Sequence, residues 1–205
     1  MLSRREIRAK YDAVAGVYDR LEAIAEWLGV RALRLEAFGR ARGRVLEVAI
    51  GTGKNLPCYP PEVEEIIGVD LSPAMLRVAR RRAEELGMEV ALLEADAEAL
   101  PFPDASFDTV ASSLSTCTFP DPVRALSEMR RVCKPDGQIL LLEHGRSRSP
   151  WIARFQDRRA DAHARVLGCR WNREPLELVR DAGLAVRHAR RTFFGILHLI
   201  VATPA

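Results

Sequence analysis

The chain has 205 residues and a mass of 22.9 kDa, with 48% hydrophobic and 29% charged residues; this suits one globular domain and excludes a disordered or collagen-like chain. Its four cysteines (Cys58, Cys117, Cys133, Cys169) contain no C-x-x-C pair, and the ten-residue apolar run 193–202 is too short to cross a bilayer, so a disulfide framework, a zinc knuckle and a membrane span are all unexpected. Net charge is +3, yet residues 146–191 hold twelve arginines against five acids, which leaves the remainder at −4. The opening residues lack an apolar signal core, so a reduced, cytoplasmic protein is expected.

A polar, basic opening (residues 3–10) leads into Tyr11-Asp-Ala-Val-Ala-Gly-Val-Tyr18-Asp, and Leu21, Ile24, Ala25, Leu28, Leu33 and Leu35 then recur at helical spacing. After the breaker-rich stretch 37–43, strand and helix patterns alternate. Strands are predicted at 44–49, 65–70, 90–93, 107–113 and 138–143. Ser72-Pro73 and Asp121-Pro122 supply cap and first-turn signals for two helices, the first stopping at Gly87 and the second near Cys133. A last helix is expected at 174–182, followed by two runs, 185–191 and 195–202, joined by a short turn and therefore antiparallel. Repeated strand–helix units with near-continuous apolar strands predict an α/β, doubly wound, mostly parallel sheet.

Ligands of such sheets sit beyond the carboxyl ends of the strands, where strand order reverses. Gly51-Thr-Gly53 lies at the end of the first predicted strand, and Asp70 ends the second, nineteen residues after Gly51. A carboxylate there can accept both hydroxyls of a ribose. A third glycine suited to a pyrophosphate is absent, since Leu56 occupies its place, and no Walker lysine pattern occurs. An adenosyl ligand without phosphates tolerates both absences. S-adenosylmethionine is one, and Asp96 with Ala97, after the third strand, can meet its adenine.

The ordered series V-L-E-V-A-I-G-T-G (45–53), V-D-L-S-P-A-M-L (69–76), A-D-A-E-A-L-P-F-P-D-A-S-F-D-T-V (95–110) and R-V-C-K-P-D-G-Q (131–138) resembles the class I S-adenosylmethionine-dependent methyltransferases. The similarity extends to the ubiquinone/menaquinone, phosphatidylethanolamine and alkyl-thiol branches. It implies a Rossmann-like seven-stranded sheet with an antiparallel terminal hairpin, a helical lid (1–40), a cofactor core (44–143) and an inserted helical cap (146–173). It also implies a cofactor site drawn from Tyr11, Tyr18, Glu47, Ala49, Gly51, Gly53, Asn55, Asp70, Leu71, Met75, Asp96, Ala97 and Ser113. Ala49 stands where the family usually has its first loop glycine.

Each role has a plainer competitor. Glu47 either receives loop amides or the methionine ammonium, or merely holds the glycine turn. Asp70 binds ribose or caps a helix, Asp96 serves adenine or a turn, and Met75 packs on adenine or is core. Tyr11 and Tyr18 share a helix face as core or, with Gly16 as a hinge, form a lid. His144, directly after the fifth strand, is a candidate base or a hydrogen-bonded loop histidine. Cys117 is read as an apolar filler, and no metal-binding cluster is expected. Trp151, Phe155, His163 and Trp171 sit among the arginines of the cap, which is expected to cover an apolar acceptor and to meet either solvent or anionic lipid; no nucleic acid is expected. The function implied is methyl transfer to a small apolar or amphipathic acceptor (a phospholipid amine, a thiol or a quinone-like ring), the alternative being a non-catalytic sensor or assembly protein that binds S-adenosylmethionine.

Overall fold

A computed structural model describes residues 2–205. Ser3 opens the first helix, α1 (Arg4–Val14), through a reciprocal cap: its hydroxyl accepts from the Glu6 amide while its own amide donates to Glu6 Oε2 at 2.8 Å. The polar opening of the sequence is thus helical. Residues 15–17 break the path before α2 (Tyr18–Ala25), a π-helical turn (Glu26–Val30) and α3 (Arg31–Phe38). Gly29 in that turn has φ +128°, and a side chain there would meet the Phe193 ring at 3.2 Å. This explains the kink at a helical periodicity that otherwise runs on.

The alternating units then follow in chain order: β1 (Gly43–Val48), β2 (Val63–Asp70), α4 (Pro73–Leu86), β3 (Ala91–Glu94), β4 (Phe107–Ser113), α5 (Pro122–Val132) and β5 (Cys133–His144). Ser72 caps α4 by accepting from the Met75 amide, and Gly87 ends that helix in the left-handed conformation, as its sequence signals require. Asp121 caps α5 in the same way. The chain closes with α6 (Pro150–Leu167), α7 (Pro175–Asp181), β6 (Leu184–Thr192) and β7 (Leu197–Pro204). β5 starts five residues before the predicted 138. Cys133 already pairs with Phe107, and residues 134–137 bulge out before Gln138 meets Thr109.

The sheet order is β3-β2-β1-β4-β5-β7-β6, with β7 alone running against the other six strands. Strand alternation feeds two cores. Leu46, Val110, Ile139 and Leu141 point to one face, where Leu126, Met129 and Val179 cover them; Val45, Leu140 and Leu142 point to the other, under Phe38, Tyr59 and Leu76. The order reverses between β1 and β4, so their carboxyl ends diverge and leave a crevice there. No described helix is long and apolar enough to cross a membrane.

Candidate active site

The crevice holds a cavity of about 100 Å³ at the strand ends. Its floor is built from the strand ends: Ala49 and Gly51 after β1, Asp70, Leu71 and Ser72 after β2, Asp96 and Ala97 after β3, and Ser113 at the end of β4. Asp70 shapes the floor as well as lining it. One carboxylate oxygen accepts from the Gly51 amide at 2.8 Å and the other from the Ser72 amide at 2.8 Å, so the ribose candidate also ties the glycine bend to α4. Burial pushes its pKa up to about 6 against the pull of those amides. A carboxylate offers about four acceptor sites, so Asp70 keeps acceptor capacity for a ligand.

Ala49 adopts φ +55°, the left-handed region that glycine enters without cost. Gly53 is required more strictly: at φ +76°, a Cβ would lie 2.9 Å from Leu56 Cδ1 and 3.4 Å from Ala79. Gly53, Asn55 and Glu47 do not line the cavity. Glu47 shares the face of β1 that carries Val45 toward Phe38 and Tyr59, so strand alternation turns it away from the crevice. It accepts from the side-chain amide of the loop residue Asn55 (Nδ2) at 2.7 Å and from the Tyr59 hydroxyl at 2.8 Å. Full burial pushes its pKa up to about 7 despite those two donors and nearby Arg34. Arg34 is itself buried; it donates to Asn55 Oδ1 and Ser113 Oγ, both at 2.7 Å, and pairs with Glu26 at 3.0 Å. This network braces the loop from behind, and nothing in the local sequence pattern around Arg34 marked it.

α1 and α2 roof the cavity. Arg4 pairs with Asp96 at 2.6 Å and Glu98 at 2.5 Å, Arg8 pairs with Glu94 at 2.6 Å, and Asp12 accepts from the Ser72 hydroxyl at 2.6 Å. On α2, Asp19 accepts from the Thr52 hydroxyl at 2.7 Å and also meets Arg82, while Glu22 accepts from Lys54 at 2.8 Å. Tyr11 and Tyr18 lie across the break, with Met75 beneath them; Met75 is at once core and cavity wall. Burial raises both phenols well above their ordinary range, so they remain protonated.

Tyr11, Tyr18 and Leu114 also line a second cavity, of about 430 Å³, with Ala13, Val14, Leu21, Cys117, His144, His163, Val166, Leu167 and Cys169, and with the charged Lys10 and Glu22 at its wall. Leu114 stands at the junction with φ +51°, a strained conformation for a leucine. His144 belongs to this cavity and not to the first, and its Nε2 lies 3.3 Å from Cys169 Sγ. Two corrections follow. No metal-binding cluster was expected, but Cys117, His144 and Cys169 bring their ligand atoms within 4.8 Å of one another; the loop after β4, the end of β5 and the turn after α6 carry them there from distant positions. The cap aromatics were expected to bind the acceptor, yet Trp151 is 80% exposed, and Phe155 and Trp171 contact each other and lie outside the cavity. From the cap helix, His163, Val166 and Leu167 form the wall.

Burial is the largest influence on His144 and lowers its pKa, but the Cys169 hydrogen bond and charge and the Glu143 carboxylate together outweigh it, and the net direction is upward. A hydrogen bond from Cys117, with help from His144, holds the Cys169 thiol below its ordinary range. Glu143 is fully buried and accepts from the Ser115 amide at 3.0 Å and the Thr116 amide at 3.2 Å, which fixes the loop that presents Cys117.

Comparison with known proteins agrees with this arrangement. The methyltransferase domain family matches residues 46–141. A ubiquinone/menaquinone biosynthesis C-methyltransferase of Citrifermentans bemidjiense is 32% identical over 161 residues, which cover 74% of this chain and 67% of that protein. The chain belongs to the S-adenosylmethionine-dependent methyltransferases. A phosphatidylethanolamine N-methyltransferase of Cereibacter sphaeroides is 43% identical over 124 residues, 58% of this chain, and the chain spans 61% of that relative's length. The crystal structure of YcgJ from Bacillus subtilis superposes with a TM-score of 0.68 at 22% identity, covering 86% of this chain and 98% of that one, and so shares the fold.

The first cavity fits the cofactor of this family. Two carboxylates, Asp70 and Asp96, stand at neighbouring strand ends around one space, and its two cations, Arg4 and Arg8, are already paired with acids at the rim. Such a lining suits a nucleoside without phosphates that carries a cationic sulfonium.

Proposed function

We propose that the protein transfers the methyl group of S-adenosylmethionine to a small apolar or amphipathic acceptor. The observation that carries this reading is the pair of adjoining cavities, one edged with acids and one apolar, which share Tyr11, Tyr18 and Leu114. In this reading Asp70 holds the ribose, Asp96 and Ala97 meet the adenine, Leu71 and Met75 sandwich the base, and Ala49, Gly51 and Ser113 face the methionine part. Glu47, Gly53 and Asn55 act by keeping the loop in shape.

The bound cofactor supplies an electrophilic methyl on a sulfonium, so the chain's task is placement and the exclusion of water. Tyr11 and Tyr18 shield the junction from solvent, and the ion pairs of α1 hold that shield down. His144 and its sulfur neighbours face the acceptor side.

The acceptor enters past an apolar rim. Leu21, Val166 and Leu167 line the second cavity while remaining more than half exposed, and on α2 and the π-helical turn Ile24, Trp27 and Leu28 continue the exposed apolar surface. Exposed apolar surface of this kind, on a chain whose cap is rich in arginine, suits peripheral contact with an anionic membrane that delivers the acceptor. Incubation with S-adenosylmethionine and a panel of amines, thiols and quinols should yield S-adenosylhomocysteine with at least one class. Co-sedimentation with phosphatidylglycerol vesicles should weaken in high salt, and no binding at low salt would overturn the membrane part.

A further inference from the structure

Cys117, His144 and Cys169 reach one point from three different elements: the loop after β4, the end of β5 and the turn after α6. None is needed there for the sheet, and a buried and a half-buried sulfur beside an imidazole are the donor set of a soft cation. A tetrahedral zinc site needs sulfur and nitrogen ligands about 3.5–4 Å apart. The Nε2 to Sγ separation of 3.3 Å, and the spread of all three ligand atoms within 4.8 Å, require shifts well under the length of a bond.

Neighbouring contacts fix the main chain that carries the two cysteines. Glu143 fixes the main chain two residues before Cys117. His163 Nδ1 lies 2.8 Å from the Cys169 carbonyl oxygen, and the His163 ring stacks on Trp171 at 4.0 Å. Closed structural zinc sites have four protein ligands, whereas sites that react with a bound molecule have three and an open position. Here three ligands are present, and the space beside them is the apolar cavity walled by Val14, Leu114, Val166 and Leu167.

We propose that Cys117, His144 and Cys169 bind one zinc-class cation whose fourth position, open to the apolar cavity, takes the sulfur of an apolar thiol. The metal part stands on the cluster alone; the identification of that thiol as the methyl acceptor rests on the methyl-transfer reading. On binding, the thiol gives its proton to solvent and its sulfur ligates the cation as thiolate. That sulfur's electron pair forms the new carbon–sulfur bond while the methyl–sulfonium bond breaks, so both sulfurs end as neutral thioethers.

The test is titration of the chelator-treated full chain with cobalt(II), kept reduced by a phosphine. One equivalent should give a tetrahedral spectrum with sulfur-to-cobalt charge transfer, and zinc should abolish it by displacement. Cys117→Ser, Cys169→Ser and His144→Asn should each weaken cobalt at least tenfold. Calorimetry with S-adenosylmethionine, unchanged within threefold in these variants, shows that they are folded. Hexanethiol should strengthen the charge-transfer band by adding a third sulfur. Absence of charge transfer in the wild type, or its survival in the Cys117→Ser/Cys169→Ser double variant, would overturn the metal site. A spectrum indifferent to hexanethiol would overturn the thiol. A wild type that binds cobalt but not S-adenosylmethionine would sink the methyl-transfer reading and leave the metal site standing.

Discussion

The rings of Tyr11 and Tyr18 lie 6.2 Å apart at an angle of 56°, on opposite sides of the break between α1 and α2, and both line both cavities. A pair so placed acts as a partition whose bulk matters more than its hydroxyl groups. Tyr11→Ala or Tyr18→Ala should lower kcat/KM about 10- to 100-fold, equivalent to about 1.4–2.7 kcal/mol of transition-state stabilisation. Either Tyr→Phe change should cost less than about threefold. Steady-state kinetics on the best acceptor distinguishes the two patterns, and equal losses for Phe and Ala would assign the role to the phenol group.

Ion pairs on its exposed side join α1 to the core beside the packing of Ile7, Tyr11 and Val14. Arg4 and Arg8 are each nearly half exposed, and such pairs contribute about 0–1 kcal/mol apiece. The Arg4→Ala/Arg8→Ala variant should therefore keep its fold while the amides of residues 4–14 exchange with deuterium several-fold faster, an effect that high salt should reproduce in the wild type. Exchange unchanged in the variant would mean that apolar contacts alone hold the roof.

Glu47 gives a pH dependence of definite sign. The unfolded chain releases this proton near the ordinary value of 4.5, whereas the folded chain keeps it to about 7. Between those values the native state holds the extra proton, so this residue's contribution to stability falls as pH rises. Glu47→Gln can keep bonds to Asn55 and Tyr59 and has no charge to bury. It should gain Tm relative to the wild type at pH 8 and show little difference at pH 5. A larger gain at pH 5 would contradict the assignment.

Ala49 sets two terms against each other. Its left-handed conformation costs about 1–2 kcal/mol for a residue with a side chain, while glycine adds about 0.5–1 kcal/mol of unfolded-state entropy. Ala49→Gly should thus be neutral or stabilising by up to about 1.5 kcal/mol, as denaturant unfolding would show. A clear destabilisation would mean that the methyl group packs against something the cavity needs.

Strand and helix periodicity, together with the caps at Ser72 and Asp121, located the sheet and its main helices, because those signals are local and the interior is ordinary. The same locality places Gly51, Asp70 and Asp96 around one cavity, since strand ends of a parallel sheet converge. What escaped depends on folding at a distance. The sequence leaves Glu47 between a ligand role and a loop-holding one, and only the fold shows that it meets Asn55 and Tyr59. Cys169 stands 25 residues from His144 and reaches it only because α6 returns the chain across the sheet edge. Arg34 lies on an otherwise unremarkable helix turn, and only the closed fold shows that it joins Glu26, Asn55 and Ser113.

The most direct measurement is calorimetric titration of the full chain with S-adenosylmethionine, repeated with Asp70→Asn. A single site, weakened at least tenfold by the substitution, is expected. No heat of binding in the wild type, or an affinity indifferent to the loss of the Asp70 carboxylate, would contradict a cofactor cavity at the ends of β1, β2 and β3.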